Sequence, residues 1–468
     1  MELPADFEKR TIEFLGELDF RQLKEALQEE IPVSIRINGA KWQHYCPNDE
    51  FLAENERVPW CHEGRYLTSR PAFTFDPLFH AGCYYVQEAS SMFLDHVLKT
   101  FVKEPVRMLD LCAAPGGKST VARSALPEGS LLVANEVMRN RSQVLVENLV
   151  KWGHSDIFVS SNDPNDFSVL PAFFDVILTD VPCSGEGMFR KDEVAVADWS
   201  VDNVNICQKR QRRILSDVWP ALKGGGLLVY STCTYNKEEN EENVEWIADE
   251  LGAEVLSVPT KESWGIMGNL DRKDFPVYRF FPYKTKGEGL FMAVLRKKES
   301  DDRTVLKKRW KNDKSKKRNV FAVPKEVKAW VNGSDMFDFT LNENIVSAVH
   351  KQLSGDMIQL RQALRVLQTG ITLGTLRGKD SIPSQSLAMS TILNTQAFPV
   401  AEVDYEQAIA YLRSESITLD GTVPRGYVLL TYKNVPLGFV KNVGNRANNL
   451  YPNEWKIRST YVRKPEVI

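Results

Sequence analysis

The chain has 468 residues, of which 43% are hydrophobic and 10% aromatic, and its 59 basic and 62 acidic residues give a net charge of -3. This composition is typical of a globular protein of several domains, and any affinity for nucleic acid must come from local basic clusters rather than from a global excess of positive charge. No apolar run approaches the ~18 residues that cross a bilayer, and the amino terminus lacks a basic region followed by an apolar core. We therefore expect a cytoplasmic protein without membrane contact.

Seven cysteines are scattered along the chain, and none belongs to a CxxC pair. An odd number without paired spacing argues against a disulfide framework and against a structural zinc site. We expect free thiols in a reducing compartment and no bound metal. The cysteines are Cys46, Cys61, Cys83, Cys112, Cys183, Cys207 and Cys233.

Residues 1–100 have a mixed pattern, with a predicted amphipathic helix near Phe14 to Leu27, the apolar run "IPVSIRIN", and "YYVQEASSM" leading into another helix. Residues 101–296 are regular, because short apolar runs such as "VRMLDL" and "FDVILTD" alternate with helical stretches. Strands that alternate with helices predict an α/β fold with a doubly wound parallel sheet and helices on both faces.

The second half of the chain divides by composition. Residues 296–318 hold twelve Lys or Arg against four acids, so 297–318 is predicted to be a basic linker. The pattern of "MIQLRQALRVLQTG" favours helix, and 319–390 is predicted to be a helical intermediate region. Residues 391–468 are predicted to be β-rich, with "GYVLLTYKNVPLGFV" as a hairpin around a Lys-Asn turn.

Ligands of an open α/β sheet bind outside the carboxyl ends of its strands. The first strand ends at Asp110 and continues into "DLCAAPGGKST", where Gly116 and Gly117 let the backbone pass close to a ligand. The loop lacks the GxGxxG and GxxxxGK[ST] spacings, which disfavours a dinucleotide or a triphosphate. A tight strand-to-helix turn would use the same residues, so the loop alone is a weak signal.

Acidic residues also follow the second and third strands. Glu136 stands 26 residues beyond Asp110, where an acid commonly accepts hydrogen bonds from ribose hydroxyls, although a solvated acid is an equally good interpretation. Asn162 and Asp163 follow the third strand and suit either an adenine contact or an ordinary turn.

The fourth and fifth strands end in cysteines. Asp180 and Cys183 follow the fourth strand, and Cys233 closes the fifth. Most free cysteines are small buried apolar residues, but two in polar loops at adjacent strand ends favour one shared pocket. A thiolate can add to the electron-poor carbon-6 of cytosine, which makes carbon-5 a nucleophile able to take a methyl group. The second thiol would then assist removal of the carbon-5 proton or expulsion of the first cysteine, while Asp180 hydrogen-bonds the base.

Four motifs in the expected order resemble those of the Sun-type RNA cytosine-5 methyltransferases, in particular the bacterial small-subunit ribosomal RNA methyltransferases of the RsmF type. They are "DLCAAPGGKST", "DVPCSGEGMFRK", "QKRQRRIL" and "YSTCTYNKEENEENV". The resemblance implies a Rossmann-like core that uses S-adenosylmethionine to methylate carbon-5 of cytosine in 16S ribosomal RNA, in the decoding region. It makes Cys233 the nucleophile and Cys183 the thiol needed for product release. Because neither cysteine motif contains a histidine, Asp180 or Lys118 would have to manage protons or charge nearby.

The resemblance also implies a set of cofactor-binding residues. Glu136 would hold the ribose and Asp163 the adenine. The full set is Cys112, Ala113, Ala114, Pro115, Gly116, Gly117, Lys118, Glu136, Arg141, Asp163 and Asp180. The chain departs from the family pattern at Val181 and at Tyr283. No role is assigned to Tyr283.

Around the catalytic domain of 101–296, the resemblance implies an amino-terminal RNA-binding domain at 1–100 and a PUA-like RNA-binding domain at 391–468. In the latter, basic and aromatic side chains suit phosphate contact and base stacking, although a half-buried barrel with solvated lysines would carry the same residues. These are Lys441, Arg446, Lys456, Arg458, Tyr451 and Trp455. The expected partner is ribosomal RNA or the small ribosomal subunit, bound by a monomer.

Three alternatives stay open. Transfer RNA is the second candidate substrate, because close relatives divide between the two RNAs. In a DNA cytosine-5 methyltransferase the nucleophile would be Cys183, and Cys233 would be incidental. An inactive fold that serves as a ribosome-assembly factor would have no need for both cysteines together with Asp180, Lys118 and the glycine loop.

Overall fold

The computed structural model describes residues 2–45, 49–271, 273–299 and 323–459. Cys46 and residues 300–318 of the predicted basic linker lie outside these ranges. Within them, no helix combines the length and the apolar character needed to span a membrane.

The amino-terminal region contains short helices and a small antiparallel sheet. Its helices are α1 (Ala5–Leu15), α2 (Glu17–Ala26), α3 (Gly39–Tyr45), α4 (Asp49–Glu54) and α5 (Pro77–His80), and its strands are β1 (Val33–Ile37), β2 (Gly64–Leu67) and β3 (Tyr84–Val86), in the order β2-β1-β3. The helix predicted near Phe14 to Leu27 is confirmed as α2 (Glu17–Ala26), although it begins later than predicted. Gly16, with φ of 86°, separates α1 from α2, and this conformation is easily adopted only by glycine.

The catalytic region alternates strands and helices as predicted. Its strands are β4 (Arg107–Asp110), β5 (Leu131–Asn135), β6 (Ile157–Ser160), β7 (Phe174–Asp180), β8 (Leu222–Thr232), β9 (Ala253–Leu256), β10 (Tyr278–Phe280) and β11 (Leu290–Lys297). Its helices are α6 (Phe93–Phe101), α7 (Gly117–Ala125), α8 (Arg139–Trp152), α9 (Glu193–Asp198), α10 (Val201–Val218) and α11 (Glu241–Glu250).

Strands β4 to β8 form a parallel sheet in the order β8-β7-β4-β5-β6, and β11 extends it antiparallel to β8. β5 is buried along its whole length, as expected for a strand covered on both faces. Apolar clusters lie on the two faces of the sheet, one around Met108 and Leu132 and the other around Leu109 and Val133. The predicted doubly wound, Rossmann-like core is therefore confirmed.

The prediction of a helical region at 319–390 is wrong. This stretch holds helices α12 (Lys325–Lys328), α13 (Ser354–Ala363) and α14 (Gln385–Met389), and strands β12 (Phe337–Asn342), β13 (Ile345–His350), β14 (Val366–Thr369), β15 (Ile371–Arg377) and β16 (Asp380–Pro383). Sequences such as "FDFTLN" and "IVSAVH" are rich in β-branched and aromatic residues, and a turn with positive φ at Glu343 joins them. Strands β12, β13, β15 and β16 form their own sheet, whereas β14 pairs with β6 and extends the catalytic sheet beyond the predicted boundary at 296.

The carboxy-terminal region is β-rich, as predicted. It consists of β17 (Val400–Glu402), α15 (Tyr405–Leu412), β18 (Gly426–Tyr432), β19 (Val435–Asn442) and β20 (Ala447–Asn449), with the strands in chain order in one sheet. Lys433 and Asn434 both have positive φ, of 50° and 65°, as the two central residues of a type I′ turn require. The predicted hairpin around the Lys-Asn turn is confirmed.

Buried polar side chains join the amino-terminal region to the catalytic sheet. The Arg36 guanidinium donates to Thr120 Oγ1 at 2.6 Å and lies 4.4 Å from the centre of the Trp152 ring. Asn38 donates to the carbonyl oxygens of Gly82 and Trp152, each at 3.0 Å. Because Arg36 and Asn38 are almost fully buried, the "SIRIN" strand fixes one region against the other.

Gly153, directly after α8, marks a close approach to the chain beyond the linker. A Cβ at this position would lie 2.2 Å from the Met389 carbonyl oxygen. The Thr391 N–H donates to the Gly153 carbonyl oxygen at 3.0 Å. The end of α8 therefore accepts only glycine, for steric as well as conformational reasons.

We expect Gly153→Ala to lower the free energy of unfolding more than Gly252→Ala does. Both glycines follow a helix with positive φ, 89° and 72°, so both substitutions carry backbone strain of roughly 1–2 kcal/mol. A Cβ on Gly252 meets nothing within 4 Å, so only Gly153→Ala adds a steric clash. Urea unfolding of the full chain measures both, and equal costs would contradict the close packing at Met389.

Candidate active site

The two predicted active-site thiols lie side by side. β7 and β8 are parallel neighbours in which Asp180 stands opposite Ser231, so the residues that follow both strands emerge at the same edge of the sheet. Cys183 and Cys233 lie in these continuations, with their sulfur atoms 3.2 Å apart. The Cys233 N–H also points to the Cys183 sulfur at 3.4 Å. The expectation that the two cysteines come together at adjacent strand ends is therefore confirmed for this pair.

The environment of Cys183 favours the protonated form of its thiol. The hydrogen bond with Cys233 and burial both raise the pKa of Cys183 well above its ordinary value. A thiol that keeps its proton acts as a hydrogen-bond donor toward its neighbour. Cys183 is therefore suited to hold a proton next to the Cys233 sulfur.

Lys118 and Asp180 form an ion pair beside the thiols. Lys118 Nζ lies 2.9 Å from Asp180 Oδ2, and the Ser231 hydroxyl donates to Asp180 Oδ1 at 2.7 Å. Burial alone would lower the pKa of Lys118, but the charges of Asp180, Cys233 and Asp110 raise it. Lys118 therefore carries a positive charge close to the Cys233 sulfur, and a neighbouring cation is one of the features that lower the pKa of a thiol.

A buried carboxylate that the sequence did not single out joins the two cysteine loops. Glu239 accepts hydrogen bonds from the Ser184 N–H at 3.1 Å, from Asn236 Nδ2 at 2.8 Å and from Gln211 Nε2 of α10 at 2.6 Å. Burial raises the pKa of Glu239 to about 7, although these donors lower it. Its position ties the loop after β7 to the segment after β8.

Glu186 makes a second connection between the two cysteine loops, with the carboxylate now in the loop after β7 and its backbone donors in the segment after β8. Its carboxylate, in the loop after β7, accepts from the N–H groups of Tyr235 and Asn236 at 2.6 and 2.8 Å and from Trp199 Nε1 at 2.9 Å. Sequence reasoning missed both carboxylates. Glu239 lies in "NKEENEEN", which has the composition of an exposed segment, although its Asn residues were an available signal because amides donate to buried carboxylates. Glu186 lies in "CSGEGMF", where no neighbouring residue marks the acid as buried.

The glycine loop between β4 and α7 is held from several sides. Gly116 is left-handed, with φ of 116°, and directly precedes α7. The Ala113 N–H donates to the Asn135 carbonyl oxygen, and Asn148 Nδ2 donates to the Pro115 carbonyl oxygen, both at 2.8 Å. The loop is thus fixed to the end of β5 and to α8.

Glu136 and Arg141 lie together next to this loop. Arg141 Nη1 is 3.4 Å from Glu136 Oε2, and Arg141 Nη2 donates to the Ala114 carbonyl oxygen at 2.7 Å. Asp163 is exposed and caps a 3₁₀ turn by accepting from the Asn165 N–H at 3.1 Å. The expected cofactor residues therefore lie along the carboxyl edge of β4, β5 and β6.

Asp110 is a further candidate at the end of β4. Its side chain is fully buried, its Oδ2 accepts from the Ser119 hydroxyl at 2.6 Å, and its Oδ1 has no hydrogen-bond partner. Burial raises the pKa of Asp110 to about 7, and the charges of Asp180 and Glu136 act in the same direction. Burial and the same three carboxylates also raise the pKa of Cys112. The edge of the sheet is therefore acidic, with one free buried acceptor.

The carboxy-terminal region only partly offers the expected RNA-binding side chains. Tyr451 is buried and packs edge-on against Tyr411 and Trp455, so the expectation that it stacks on a base is wrong. Lys441 Nζ is bound to Asp380 Oδ2 at 2.8 Å. Of the basic residues expected to contact RNA, Arg446, Lys456 and Arg458 are exposed.

Among the described residues, one group has side chains that could ligate a metal. Cys61, Glu63 and Asp95 bring their ligand atoms within 4.8 Å of one another. The Lys99 ammonium lies 2.9 Å from Asp95 and 3.5 Å from Glu63 and already pairs with both carboxylates. A cation there would have to displace the ammonium.

We expect Asp110→Asn to gain stability relative to the wild type as the pH rises from 5 to 8. The pKa of Asp110 is raised in the folded protein, so the folded state holds a proton that the unfolded state has already lost, and wild-type stability falls as the pH rises toward about 7. The asparagine side chain of the variant does not ionise, so this position no longer changes the free energy of unfolding over this range. For a pKa shift of this size, the wild type loses about a few kcal/mol of its free energy of unfolding. Urea unfolding at both pH values measures the difference, and a pH-independent difference would contradict it.

Comparison with known proteins agrees with this geometry. Residues 97–296 match the family described as 16S rRNA methyltransferase RsmB/F, residues 3–89 match the N-terminal domain of 16S rRNA methyltransferase RsmF, and residues 398–457 match the methyltransferase RsmF PUA domain. Ribosomal RNA small subunit methyltransferase F of Shewanella oneidensis is 31% identical over 411 residues, which are 85% of each chain. The protein of the same name from Klebsiella pneumoniae is 30% identical over 464 residues, which are 93% of each chain.

Solved structures agree as well. A methyltransferase homolog protein from Pyrococcus horikoshii superimposes with a TM-score of 0.54 at 30% identity and covers 63% of this chain and 95% of its own. NSun6 from the same organism has a TM-score of 0.55 at 20% identity over 64% of this chain and 99% of its own, which is a likeness of fold. Fold, motifs and relatives agree, and the chain belongs to the RsmB/F family of S-adenosylmethionine-dependent RNA cytosine-5 methyltransferases.

Proposed function

We propose that the protein methylates carbon-5 of a cytosine in 16S ribosomal RNA, in the decoding region of the small subunit, through a covalent adduct with Cys233. The observation that carries this proposal is the contact of two thiols, 3.2 Å apart, beside the Lys118–Asp180 ion pair. The names of the curated relatives support ribosomal RNA over transfer RNA.

The acidic edge of the sheet fits the methyl donor. S-adenosylmethionine carries a sulfonium and an ammonium group as well as ribose hydroxyls, and the free Asp110 oxygen and the Glu136 and Asp180 carboxylates suit these cations and donors. We assign its binding to Cys112–Lys118, Glu136, Arg141, Asp163 and Asp180, with Asp110 added. When bound, it supplies the methyl group.

The first half of the reaction uses Cys233. Its thiolate forms a bond to carbon-6 of the cytosine, and the electron pair of the carbon-5–carbon-6 double bond makes carbon-5 the nucleophile that is methylated. The Lys118 ammonium stabilises the thiolate before attack, and Asp180 accepts a hydrogen bond from the cytosine amino group. Uracil lacks that donor, so Asp180 favours cytosine.

The second half restores the aromatic ring. Loss of the carbon-5 proton to solvent lets the electron pair of the C–H bond re-form the carbon-5–carbon-6 double bond, and the bond between carbon-6 and the Cys233 sulfur breaks so that the sulfur leaves as a thiolate. The Cys183 thiol, which keeps its proton and lies against that sulfur, stabilises it as it leaves. Cys183 is thus assigned to product release.

The target base must leave its stack to reach Cys233, which costs roughly a few kcal/mol. The surrounding RNA has to be held during this step. Exposed basic side chains on α10 and in the carboxy-terminal region are available for phosphate contacts, because they have positive charge and solvent access. They are Lys209, Arg210, Arg213, Arg446, Lys456 and Arg458.

We expect Cys233→Ala to lower methyl transfer to small ribosomal subunits more than about a thousandfold, because no nucleophile remains. Cys183→Ala should trap the protein on RNA as a covalent adduct visible on denaturing gels. Labelled S-adenosylmethionine measures transfer, with transfer RNA and DNA as competing substrates.

Cys207→Ala is the matched control, because Cys207 is a buried cysteine of α10 outside the thiol pair and should retain activity. An adduct that requires Cys183 instead of Cys233 would overturn the assigned roles. Labelling of transfer RNA alone would overturn the substrate, and failure to label any nucleic acid would overturn the activity.

We further expect Glu239→Ala to lower kcat about a hundredfold, since loss of the carboxylate releases both cysteine loops and a displacement of about 1 Å costs that much. Affinity for S-adenosylhomocysteine should stay unchanged, and Glu239→Gln should recover part of the rate. Glu238→Ala is the control, because the neighbouring Glu238 is partly exposed and pairs with Arg10. Equal rates for Glu239→Ala and Glu238→Ala would show that Glu239 does not position the thiols.

A further inference from the structure

A strand from beyond the linker completes the edge of the catalytic sheet next to the cofactor residues. β14 runs antiparallel to β6, with Val366 opposite Ser160 and Thr369 opposite Phe158. One step further along, the Ser161 N–H donates to the Arg365 carbonyl oxygen at 3.0 Å. The backbone ladder therefore continues past the end of β6, toward the segment where Asp163 lies.

Asn162 is the residue on which these contacts converge. Its side-chain oxygen accepts from the Arg365 N–H at 3.0 Å, and its Nδ2 donates to Asp166 Oδ2 at 2.9 Å. Its backbone N–H and carbonyl oxygen both bind the side chain of Asn135, each at 3.0 Å. Asn162 thus links the end of β5, the turn that Asp163 caps, and β14.

Asn162 is connected to both residues assigned to the adenosine of the cofactor. Asn135 directly precedes Glu136, the residue assigned to the ribose, and Asp163, assigned to the adenine, follows Asn162. Asp166 shares one carboxylate oxygen between Asn162 Nδ2 and the Asp163 N–H, at 2.9 and 3.2 Å. A shift of Asn162 would therefore move both carboxylates assigned to the adenosine.

Apolar packing holds β14 in place. Met357 and Leu360 of α13 and Leu364 are buried in the same cluster as Phe167, which lies in the turn that Asp163 caps. The segment 354–369 is therefore part of the catalytic core even though it follows the linker in the chain.

We propose that Asn162 is a positioning residue for the adenosine end of S-adenosylmethionine, and that Arg365, the residue directly before β14, holds it through its N–H. The chain beyond the linker thereby completes the cofactor site. This inference rests on the proposed placement of the ribose at Glu136 and the adenine at Asp163.

Two pairs of variants separate this role from others. Asn162→Ala removes the whole link, and Asn165→Ala is its control, because Asn165 is an exposed asparagine in the same turn whose backbone N–H, retained in alanine, makes the contact to Asp163. Arg365→Pro removes only the N–H that binds Asn162 and keeps the carbonyl oxygen that binds Ser161. Leu364, with φ of -124° and ψ of 156°, already has the extended conformation that a following proline requires. Arg365→Ala, which keeps the N–H, is its control.

The experiment is calorimetric titration of the full-length variants with S-adenosylmethionine and with 5′-methylthioadenosine, which lacks the amino-acid end. We expect Asn162→Ala and Arg365→Pro to weaken binding of both ligands by a similar factor of about ten, the value of one hydrogen bond, while both controls stay within twofold of the wild type. Equal weakening of both ligands identifies the adenosine end.

Other outcomes overturn the inference in distinguishable ways. If the wild type binds both ligands and Asn162→Ala binds them within twofold, Asn162 has no positioning role and the proposed function is unaffected. If only S-adenosylmethionine is weakened, the adenosine assignment is wrong. If the wild type binds neither ligand, the proposed function fails together with the inference. Should Arg365→Pro not fold, the comparison of Asn162→Ala with Asn165→Ala still decides.

Discussion

The buried Glu239 carboxylate is the constraint on which the two-thiol site depends. The β7–β8 ladder aligns the strands only as far as Asp180 and Ser231, and both cysteines lie beyond it. Hydrogen bonds from the Cys183 loop, from the segment after Cys233 and from α10 converge on this one group, and Glu186 ties the same loops in the opposite direction. Burial of a carboxylate is costly unless donors surround it, so the arrangement is stable only as a complete network.

Sequence patterns revealed the parts of the site that depend on local chemistry. Apolar runs followed by Asp180, Cys183 and Cys233 indicate strand ends with reactive groups, and the parallel fold brings such ends together. The hydrogen bonds by which Glu239 connects the two cysteine loops could not be predicted, because acids in a polar segment are usually exposed and only tertiary contacts bury this one. The prediction of helix for residues 357–370 failed for a similar reason. The chain is helical as far as Ala363, but Val366–Thr369 then forms a strand because it pairs with the otherwise open edge of β6.

The regions that flank the catalytic sheet are joined to each other as well as to it. Ile35 and Tyr84 of the amino-terminal sheet lie in one apolar cluster with Val428 and Leu430 of β18. Arg36 fastens the same amino-terminal sheet to α7, directly behind the glycine loop. The surfaces available to RNA on both flanks therefore keep a fixed orientation toward the thiols, which suits an enzyme that must hold a large substrate while it extracts one base.

The position of β14 also bears on the covalent continuity of the chain. Residues 299 and 323 bound the stretch between two parts that are already joined by the β6–β14 ladder and by the shared packing of α13. A chain that ended at residue 296 would leave the edge of β6 unpaired and would expose the apolar residues that pack against α13. The folding unit that surrounds the active site is therefore discontinuous in sequence, and its boundaries cannot be drawn as one continuous range.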